Sequence, residues 1–228
     1  MRFAVIVFPG SNCDHDTYHV IKHILGEEAQ FVWHRETSLS NYDVVVIPGG
    51  FAYGDYLRTG AIAALSPIMQ AVKKFAAGGG LVLGVCNGFQ ILVEAGLLPG
   101  ALVANQSLRF ISRKIHLKPE DTGSSLTAGL KLDRIYTMPV AHQAGNYLIQ
   151  AAELAQLEDN GQIAFRYATA GGKVSTGANP NGSVANIAGV LNREKNIMGM
   201  MPHPERASES VVGSVDGLEI FKSIAGQA

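Results

Sequence analysis

Short apolar runs alternate with helical patterns over the first hundred residues of this chain. Four runs without polar alternation predict buried strands: Phe3–Phe8, Phe31–Trp33, Val44–Ile47 and Leu81–Val85. Helical patterns cover Thr17–Leu25, Gly60–Ala76 and Gly88–Ala95. Strands of this kind, alternating with helices, predict an α/β fold with a mainly parallel open sheet and helices on both faces.

The pattern changes beyond residue 100. Around Leu102–Leu117 and Ile135–Val190, short apolar runs are punctuated by Gly, Asn and Pro, which predicts antiparallel strands and hairpins added at the edge of the sheet. Asn196–Met201 predicts a last buried strand, and Asp216–Ile224 predicts a closing helix. No repeat, low-complexity tract or linker interrupts the chain, so one domain is predicted over residues 1–228.

A candidate nucleophile follows the fourth apolar run, in Gly84-Val85-Cys86-Asn87-Gly88. A strand that turns sharply into a helix between glycines lifts its central side chain out of the sheet, and the glycines are expected to supply the backbone freedom. A cysteine at such a turn needs less activation than a serine, and the start of the helix favours its thiolate. Read alone, Cys86 could equally be a small buried hydrophobic residue.

A candidate base lies near the C-terminus, in Pro202-His203-Pro204-Glu205. Each proline biases the preceding residue towards extended geometry, in which His203 and Glu205 point to the same side. The carboxylate can then orient the imidazole, which completes a nucleophile–base–orienter arrangement with Cys86. An isolated H-P-E would more often be a solvated surface turn, but here it follows a strand in a chain that also carries the cysteine turn.

Loops at the carboxyl ends of the strands are the expected place for a ligand in such a sheet. One of them contains Gly49-Gly50, whose backbone N–H could hold a reacting oxygen together with the N–H of Asn87. No Gly-Lys-Ser/Thr closes this loop and no G-x-G-x-x-G follows a strand, so a phosphate-binding loop is not predicted. No candidate base is evident beside Cys13, which is therefore not expected to take part in the chemistry.

Composition excludes several classes of protein. Apolar residues make up 47% and charged residues 16%, the net charge is −1, and no basic cluster marks a nucleic-acid surface. No apolar run reaches the roughly 18 residues of a membrane span, and the opening Met1–Phe8 is predicted to be a strand, not a signal peptide. The chain has only two cysteines, and the candidate chemistry requires one of them as a free thiol. A cytoplasmic protein is therefore expected.

Three histidines, His15, His19 and His23, recur at every fourth residue. On a helix they would form one stripe, but no acidic or thiol ligand is arranged with them. We interpret the stripe as a solvated face and predict no metal site.

The cysteine turn, the glycine loop and the terminal H-P-E together resemble the class I (triad-type) glutamine amidotransferases, which have a flavodoxin-like fold. Within that class the chain is similar to the glutaminase subunits of phosphoribosylformylglycinamidine (FGAM) synthase. The similarity extends over nearly the whole chain and is carried by Phe8–Asp14, Pro48–Arg58, Val85–Gln90, Asn105–Phe110 and Asn179–Ser183.

The resemblance implies that Cys86 attacks the side-chain amide of L-glutamine, that His203 moves protons and that Glu205 orients His203. It implies glutamine contacts for Gln90, Arg109, Phe110 and His142. It also implies that ATP and magnesium belong to a separate large synthetase subunit, and that a small subunit bridges the two. No cofactor is implied for this chain.

The loop Val140–Asn146 departs from the family, because Ala144 replaces an acidic residue. Two alternatives stay open. A DJ-1/PfpI-like cysteine hydrolase shares the sheet and the cysteine turn, although such proteins often have histidine where this chain has Asn87. A non-catalytic glutamine-binding scaffold subunit would keep the fold without the chemistry.

Overall fold

A nine-stranded sheet forms the centre of the structure, a computed structural model that describes residues 1–227. Along the sheet the strands stand in the order β2-β1-β3-β4-β11-β10-β9-β6-β7. Their bounds are β1 Arg2–Val7, β2 Glu28–Trp33, β3 Val44–Ile47, β4 Leu81–Val85, β6 Ile111–Pro119, β7 Tyr136–His142, β9 Ile163–Ala168, β10 Ile187–Leu191 and β11 Ile197–Met200. A separate antiparallel pair joins β5 Ala101–Val103 to β8 Asn146–Leu148.

The first five strands of this order are parallel to one another. β1 pairs with β2 and β3, β3 pairs with β4, and β4 pairs with β11, all in parallel register. The order 2-1-3-4 followed by a fifth parallel strand is that of flavodoxin-like sheets. All four residues of β3 and of β11 are buried, as expected for strands covered on both faces. The predicted fold class is confirmed.

Antiparallel strands extend this sheet on one side, as the sequence predicted. β11 pairs antiparallel with β10, β10 with β9, β9 with β6, and β6 with β7. β7 ends at His142, and its neighbouring loop reaches back over the carboxyl ends of the parallel strands. The extension therefore supplies a loop to the edge where a ligand site is expected.

Five α-helices accompany the sheet within residues 1–227. They are α1 Asp14–His19, α2 Pro67–Ala77, α3 Asn87–Glu94, α4 Ala151–Asp159 and α5 Leu218–Ile224. The chain moves from β1 to β2 in one direction along the sheet and from β3 to β4 in the other. Because such crossovers are right-handed, α1 and α2 lie on opposite faces. Among the helices of residues 1–227, none has the length and apolar character needed to cross a lipid bilayer.

Two predicted helices differ from those observed. The predicted helix Gly60–Ala76 is interrupted at Ser66, whose backbone is extended (ψ 149°) because Pro67 follows it. The first helix begins at Asp14 rather than Thr17 and continues beyond His19 as a π-helical segment, Val20–Ile24. In addition, α4 lies inside Ile135–Val190, where only strands and hairpins were predicted.

Candidate active site

Cys86 stands at a sharp turn between β4 and α3. β4 ends at Val85 and α3 begins at Asn87, which leaves Cys86 with φ +50° and ψ −104°. A positive φ is strained for a residue with a side chain and persists only where the surrounding structure enforces it. The Cys86 N–H donates to the Met200 carbonyl at 2.8 Å, which fixes the turn against β11. The predicted strand–cysteine–helix turn is therefore present.

The flanking glycines are required by space rather than by backbone freedom. Neither Gly84 nor Gly88 has a positive φ, in contrast to the expectation from the sequence. A Cβ on Gly88 would lie 1.8 Å from the Ile47 carbonyl oxygen, and one on Gly84 would lie 2.8 Å from the Gly88 backbone. Both distances are far inside van der Waals contact, so α3 packs on β3 and β4 only because these positions carry no side chain.

Replacing Gly88 by Ala is expected to destabilise the fold by about 3 kcal/mol or more, because the new methyl group meets backbone that cannot move away. Gly177→Ala is the matched control, since a Cβ there meets nothing within 4 Å; its effect should stay below about 0.5 kcal/mol. Urea unfolding followed by circular dichroism measures both. Equal midpoints for the two variants would contradict the packing argument.

His203 and Glu205 form a buried pair. The His203 backbone is extended (φ −102°, ψ 92°), but Glu205 lies in the 3₁₀ turn Pro204–Ala207 and not in an extended segment as predicted. The side chains still meet, with His203 Nδ1 2.5 Å from Glu205 Oε1. A carboxylate on Nδ1 fixes the proton on that nitrogen and leaves Nε2 available as the base. Pro204 begins the turn that brings the two side chains together, whereas the sequence had predicted an extended segment for both residues.

The charges around His203 favour its protonated form. Burial alone would lower the pKa of His203, but the Glu205 carboxylate and the Cys86 sulfur outweigh burial and raise that pKa well above its usual value. His203 Nε2 is buried and has no hydrogen-bond partner among residues 1–227. An imidazole with one nitrogen anchored and the other free can accept the thiol proton of Cys86 and pass it on.

The Gly49–Gly50 peptide is oriented by the loop after β1. The Gly49 carbonyl accepts from the N–H groups of Asn12 and Cys13, at 3.5 and 3.2 Å. Since the C=O and N–H of a trans peptide point in opposite directions, the Gly50 N–H is directed away from that loop. β3 lies between β1 and β4, and a Cβ on Gly49 would lie 3.4 Å from the Cys86 Cβ. The role of the Gly50 N–H as an oxyanion donor stays a prediction.

Asn87 links the glycine loop to the cysteine turn. Its backbone N–H is at the start of α3, where no intrahelical acceptor is available. Its side chain accepts from the Ala52 N–H at 3.0 Å and donates to Gln90 Oε1 at 2.9 Å. Movement of the loop after β3 would therefore act directly on the residue beside Cys86.

The Gln90 side chain is buried and its amide is bonded at both ends. Its Nε2 donates to the Ala144 carbonyl at 2.6 Å, while its Oε1 accepts from Asn87. Because the contact uses the backbone of residue 144, the loss of an acidic side chain there does not disturb it. Contact of Gln90 with glutamine stays a prediction.

His142 is buried beneath the same loop and is held by Asn105. His142 Nδ1 lies 3.0 Å from Asn105 Oδ1, which also accepts from the Gly145 N–H. Burial, together with the nearby His203, lowers the pKa of His142 to about 4. His142 is therefore neutral at physiological pH, with Nδ1 as the donor and Nε2 as an acceptor that has no partner among residues 1–227. The influence of His203 on its pKa places His142 near the candidate triad, and contact of His142 with glutamine stays a prediction.

Arg109 and Phe110 lie on the exposed loop between β5 and β6. The Arg109 carbonyl accepts from Asn105 Nδ2 at 2.9 Å, so the loop is tied to the His142 segment through its backbone. Within residues 1–227 neither side chain hydrogen-bonds to Cys86, His203 or Glu205. Their predicted contact with glutamine stays a prediction.

Cys13 is the residue that sequence reasoning missed. It is buried, and its Sγ lies 3.9 Å from His203 Nδ1 and 3.2 Å from a guanidinium nitrogen of Arg206. The expectation that no base lies beside Cys13 is wrong. Its position directly after β1, at the same sheet edge as Cys86, was the available signal, but nearly two hundred residues separate Cys13 from His203.

The histidine stripe is exposed, as predicted. The π-helical segment changes the spacing after His19, and His19 Nε2 lies 2.8 Å from Glu209 Oε1. None of the three histidines belongs to a group of potential metal ligands in the described part of the chain. The solvated-face interpretation is therefore consistent with the structure.

Comparisons with known proteins agree with this site. The model of the CobB/CobQ-like glutamine amidotransferase domain matches residues 1–220. A phosphoribosylformylglycinamidine synthase subunit PurQ from Koribacter versatilis is 53% identical and covers 99% of this chain and 98% of its own. The PurQ subunit from Aquifex aeolicus is 54% identical, covering 98% and 99%.

A solved structure is also similar. The structure of PurLQS from Thermotoga maritima includes a chain that superposes with a TM-score of 0.87 at 41% identity, covering 99% of this chain and 97% of that one. The family match rules out the alternative interpretation of the chain as a DJ-1/PfpI-like cysteine hydrolase. With the cysteine turn and the His203–Glu205 pair in place, this chain belongs to the CobB/CobQ-like glutamine amidotransferases and, among them, to the family of phosphoribosylformylglycinamidine synthase PurQ subunits.

Proposed function

We propose that this chain is the glutaminase subunit of FGAM synthase in de novo purine biosynthesis. It hydrolyses L-glutamine to glutamate and supplies the ammonia to a synthetase subunit, which converts formylglycinamide ribonucleotide to formylglycinamidine ribonucleotide. The observation that carries the proposal is the strained Cys86 turn near a His203 ring whose Nδ1 is already bonded to Glu205.

The proposed reaction begins with transfer of the Cys86 proton to His203 Nε2. The thiolate attacks the amide carbon of glutamine, and the N–H groups of Gly50 and Asn87 stabilise the oxyanion. His203 then donates its proton to the departing nitrogen, which leaves as ammonia. Water, deprotonated by His203, hydrolyses the γ-glutamyl thioester and restores the thiol. Glu205 holds the ring and stabilises its charged form throughout.

Exposed apolar residues on two loops that are hydrogen-bonded to the site support a synthetase partner. Tyr56 and Leu57 are 75% and 88% exposed on the loop after β3, and Leu108 is 75% exposed on the loop before β6. Contiguous exposed apolar side chains mark interaction surfaces. We place the large synthetase subunit on these loops. ATP and magnesium are assigned to that subunit and none to this chain; a small bridging subunit and a cytoplasmic location complete the proposal.

The partner is proposed to open the site. Cys86 is only 5% exposed, and movement of the neighbouring loops would widen access for glutamine to its sulfur. The loop after β3 contains three non-glycine residues with positive φ, namely Tyr53, Asp55 and Leu57. Such strain is characteristic of segments that have a second conformation. Asn87 connects this loop to the nucleophile, and docking can therefore be coupled to the oxyanion contacts.

The test is glutamate release by the purified chain, alone and with the synthetase subunit, ATP and formylglycinamide ribonucleotide. One oxyanion donor contributes about 10²–10³ in rate, so assembly should accelerate release by about that factor. Equal rates in the two conditions would contradict opening of the site by the partner, but they would not contradict the proposed roles of the triad.

A pair of variants tests where the partner acts. Leu57→Ser should reduce the acceleration at a fixed synthetase concentration, because it removes an exposed apolar contact beside the site. Leu132→Ser is the control: Leu132 is 50% exposed and lies shortly before Tyr136, at the end of β7 opposite His142. If the two variants lose the acceleration equally, the partner does not dock on the loop after β3.

A further inference from the structure

A second set of donor atoms surrounds the catalytic histidine on the side of its ring that bears Nδ1. Cys13 Sγ lies 3.9 Å from His203 Nδ1, and Glu205 Oε1 lies 2.5 Å from the same nitrogen. One ligand atom from each of the three residues lies within 4.8 Å of the others, and all three residues are buried. Among residues 1–227 this is the only such group of potential metal ligands.

The donors match the preferences of zinc. Thiolate sulfur, imidazole nitrogen and carboxylate oxygen bind Zn²⁺ at about 2.0–2.3 Å, which places neighbouring ligand atoms of a tetrahedral site about 3.3–3.8 Å apart. The Cys13–His203 distance is already near this value, and the His203–Glu205 pair must open by roughly 1 Å. Glu205 Oε2 is buried without a hydrogen-bond partner among residues 1–227, so the carboxylate has an oxygen free for an ion.

The charges around the group can balance a divalent ion. Arg206 donates to Cys13 Sγ at 3.2 Å and to Asp16 Oδ2 at 3.2 Å. Burial raises the pKa of Cys13, so zinc must displace the thiol proton on binding. Once Cys13 is a thiolate, its charge and those of Glu205 and Asp16 offset the charges of Arg206 and Zn²⁺.

We propose that Cys13, His203 Nδ1 and Glu205 form an inhibitory zinc site on the reverse side of the catalytic histidine, with water as the fourth ligand. The ion is a regulator or inhibitor and not a cofactor of the reaction.

Zinc at Nδ1 would reverse the tautomer of His203. In the metal-free protein Nδ1 carries the proton and Nε2 is the base. A metal ion on Nδ1 occupies that lone pair and moves the proton to Nε2, which can then no longer accept a proton from Cys86. In a serine protease, a catalytic histidine held in the wrong tautomer lowers the rate by about 10⁴. This consequence for activity rests on the proposed triad, whereas zinc binding does not.

Zinc binding is measured on the full chain by competition with a chromophoric chelator, with Zn²⁺ alone as the probe. One ion per chain is expected, with one sulfur ligand in the X-ray absorption spectrum. Cys13→Ser should weaken binding more than the 10–100-fold typical of residues that only support a ligand. Cys86→Ser is the matched control, since it removes the other thiol, and it should leave the affinity within about twofold. Cys13→Ala repeats the test if the serine variant is unstable.

Absence of binding, or a site lost in Cys86→Ser and kept in Cys13→Ser, would overturn the proposal, because the ion would then sit on the Nε2 side. Nitrogen-15 NMR of His203 should show a proton on Nδ1 in the free chain and none on Nδ1 in the zinc-loaded chain. In the assembled synthase, zinc should inhibit glutamine-dependent synthesis and a chelator should restore it. Zinc binding without inhibition would confirm the site and contradict the role of His203 as base.

Discussion

Cys86→Ala is expected to abolish glutamine-dependent synthesis while leaving ammonia-dependent synthesis in the assembled synthase unchanged. Loss of the nucleophile should lower glutamate release by at least about 10⁴-fold, since members of a catalytic triad act as a unit. The fold should survive, because alanine keeps the Cβ that the strained turn already accommodates and only one sulfur atom is removed. Parallel assays with glutamine and with ammonium chloride measure the two activities.

Cys86→Ser serves as the control for shape in this experiment. It keeps an oxygen in the place of sulfur but supplies a much weaker nucleophile, so it should behave as the alanine variant does. Retention of glutamine-dependent synthesis in Cys86→Ala would remove Cys86 from the mechanism. Loss of both activities would show that the variant disturbs the complex instead of the chemistry.

His203→Ala is expected to approach Cys86→Ala in severity, and Glu205→Gln to be milder. The glutamine side chain introduced at position 205 keeps the shape of the glutamate and one hydrogen bond to His203 Nδ1, but it removes the charge that supports the imidazolium. Steady-state kcat/KM for glutamine, measured in the assembled synthase, ranks the variants. If Glu205→Gln proves more damaging than His203→Ala, the order of roles in the triad is wrong.

The pH profile separates a positioning role of Glu205 from a merely structural one. The carboxylate raises the pKa of His203, so its removal must lower that pKa. The imidazolium, which must give its proton to the departing ammonia, then loses that proton at a lower pH, so the alkaline limb of the kcat/KM profile should move to lower pH in Glu205→Gln. If kcat/KM of Glu205→Gln is lower at every pH but the alkaline limb keeps its position, Glu205 acts through packing alone.

The inner strands of the parallel half were readable from the sequence because they are buried on both faces, whereas Phe31 and Trp33, predicted to be buried, are 41% and 45% exposed on the edge strand β2. A run such as Val44–Ile47 has no polar alternation, and its predicted bounds agree with β3. The cysteine turn was equally readable, since a strand, a short glycine-flanked turn and a helix lie next to each other in the chain. Local patterns of this kind need no knowledge of distant contacts.

The features that were missed depend on tertiary context or on weak local signals. α4 has only one fully buried residue, Leu157, so its sequence lacks a strong apolar stripe. The break at Ser66 followed from Pro67 and could have been predicted. The position of Cys13 against His203 could not, because it arises from the meeting of loops after β1 and β11, strands that are distant in the chain.

A glutamine analogue that carries an electrophilic diazo-ketone shows whether Cys86 forms a covalent intermediate with glutamine. The analogue is added to the assembled synthase, where the site is proposed to be open, and the modified peptide is identified by mass spectrometry. The account predicts stoichiometric labelling of Cys86, none of Cys13, and protection by glutamine. No labelling of Cys86 in a synthase that still makes product with ammonia would contradict it and favour the non-catalytic scaffold alternative.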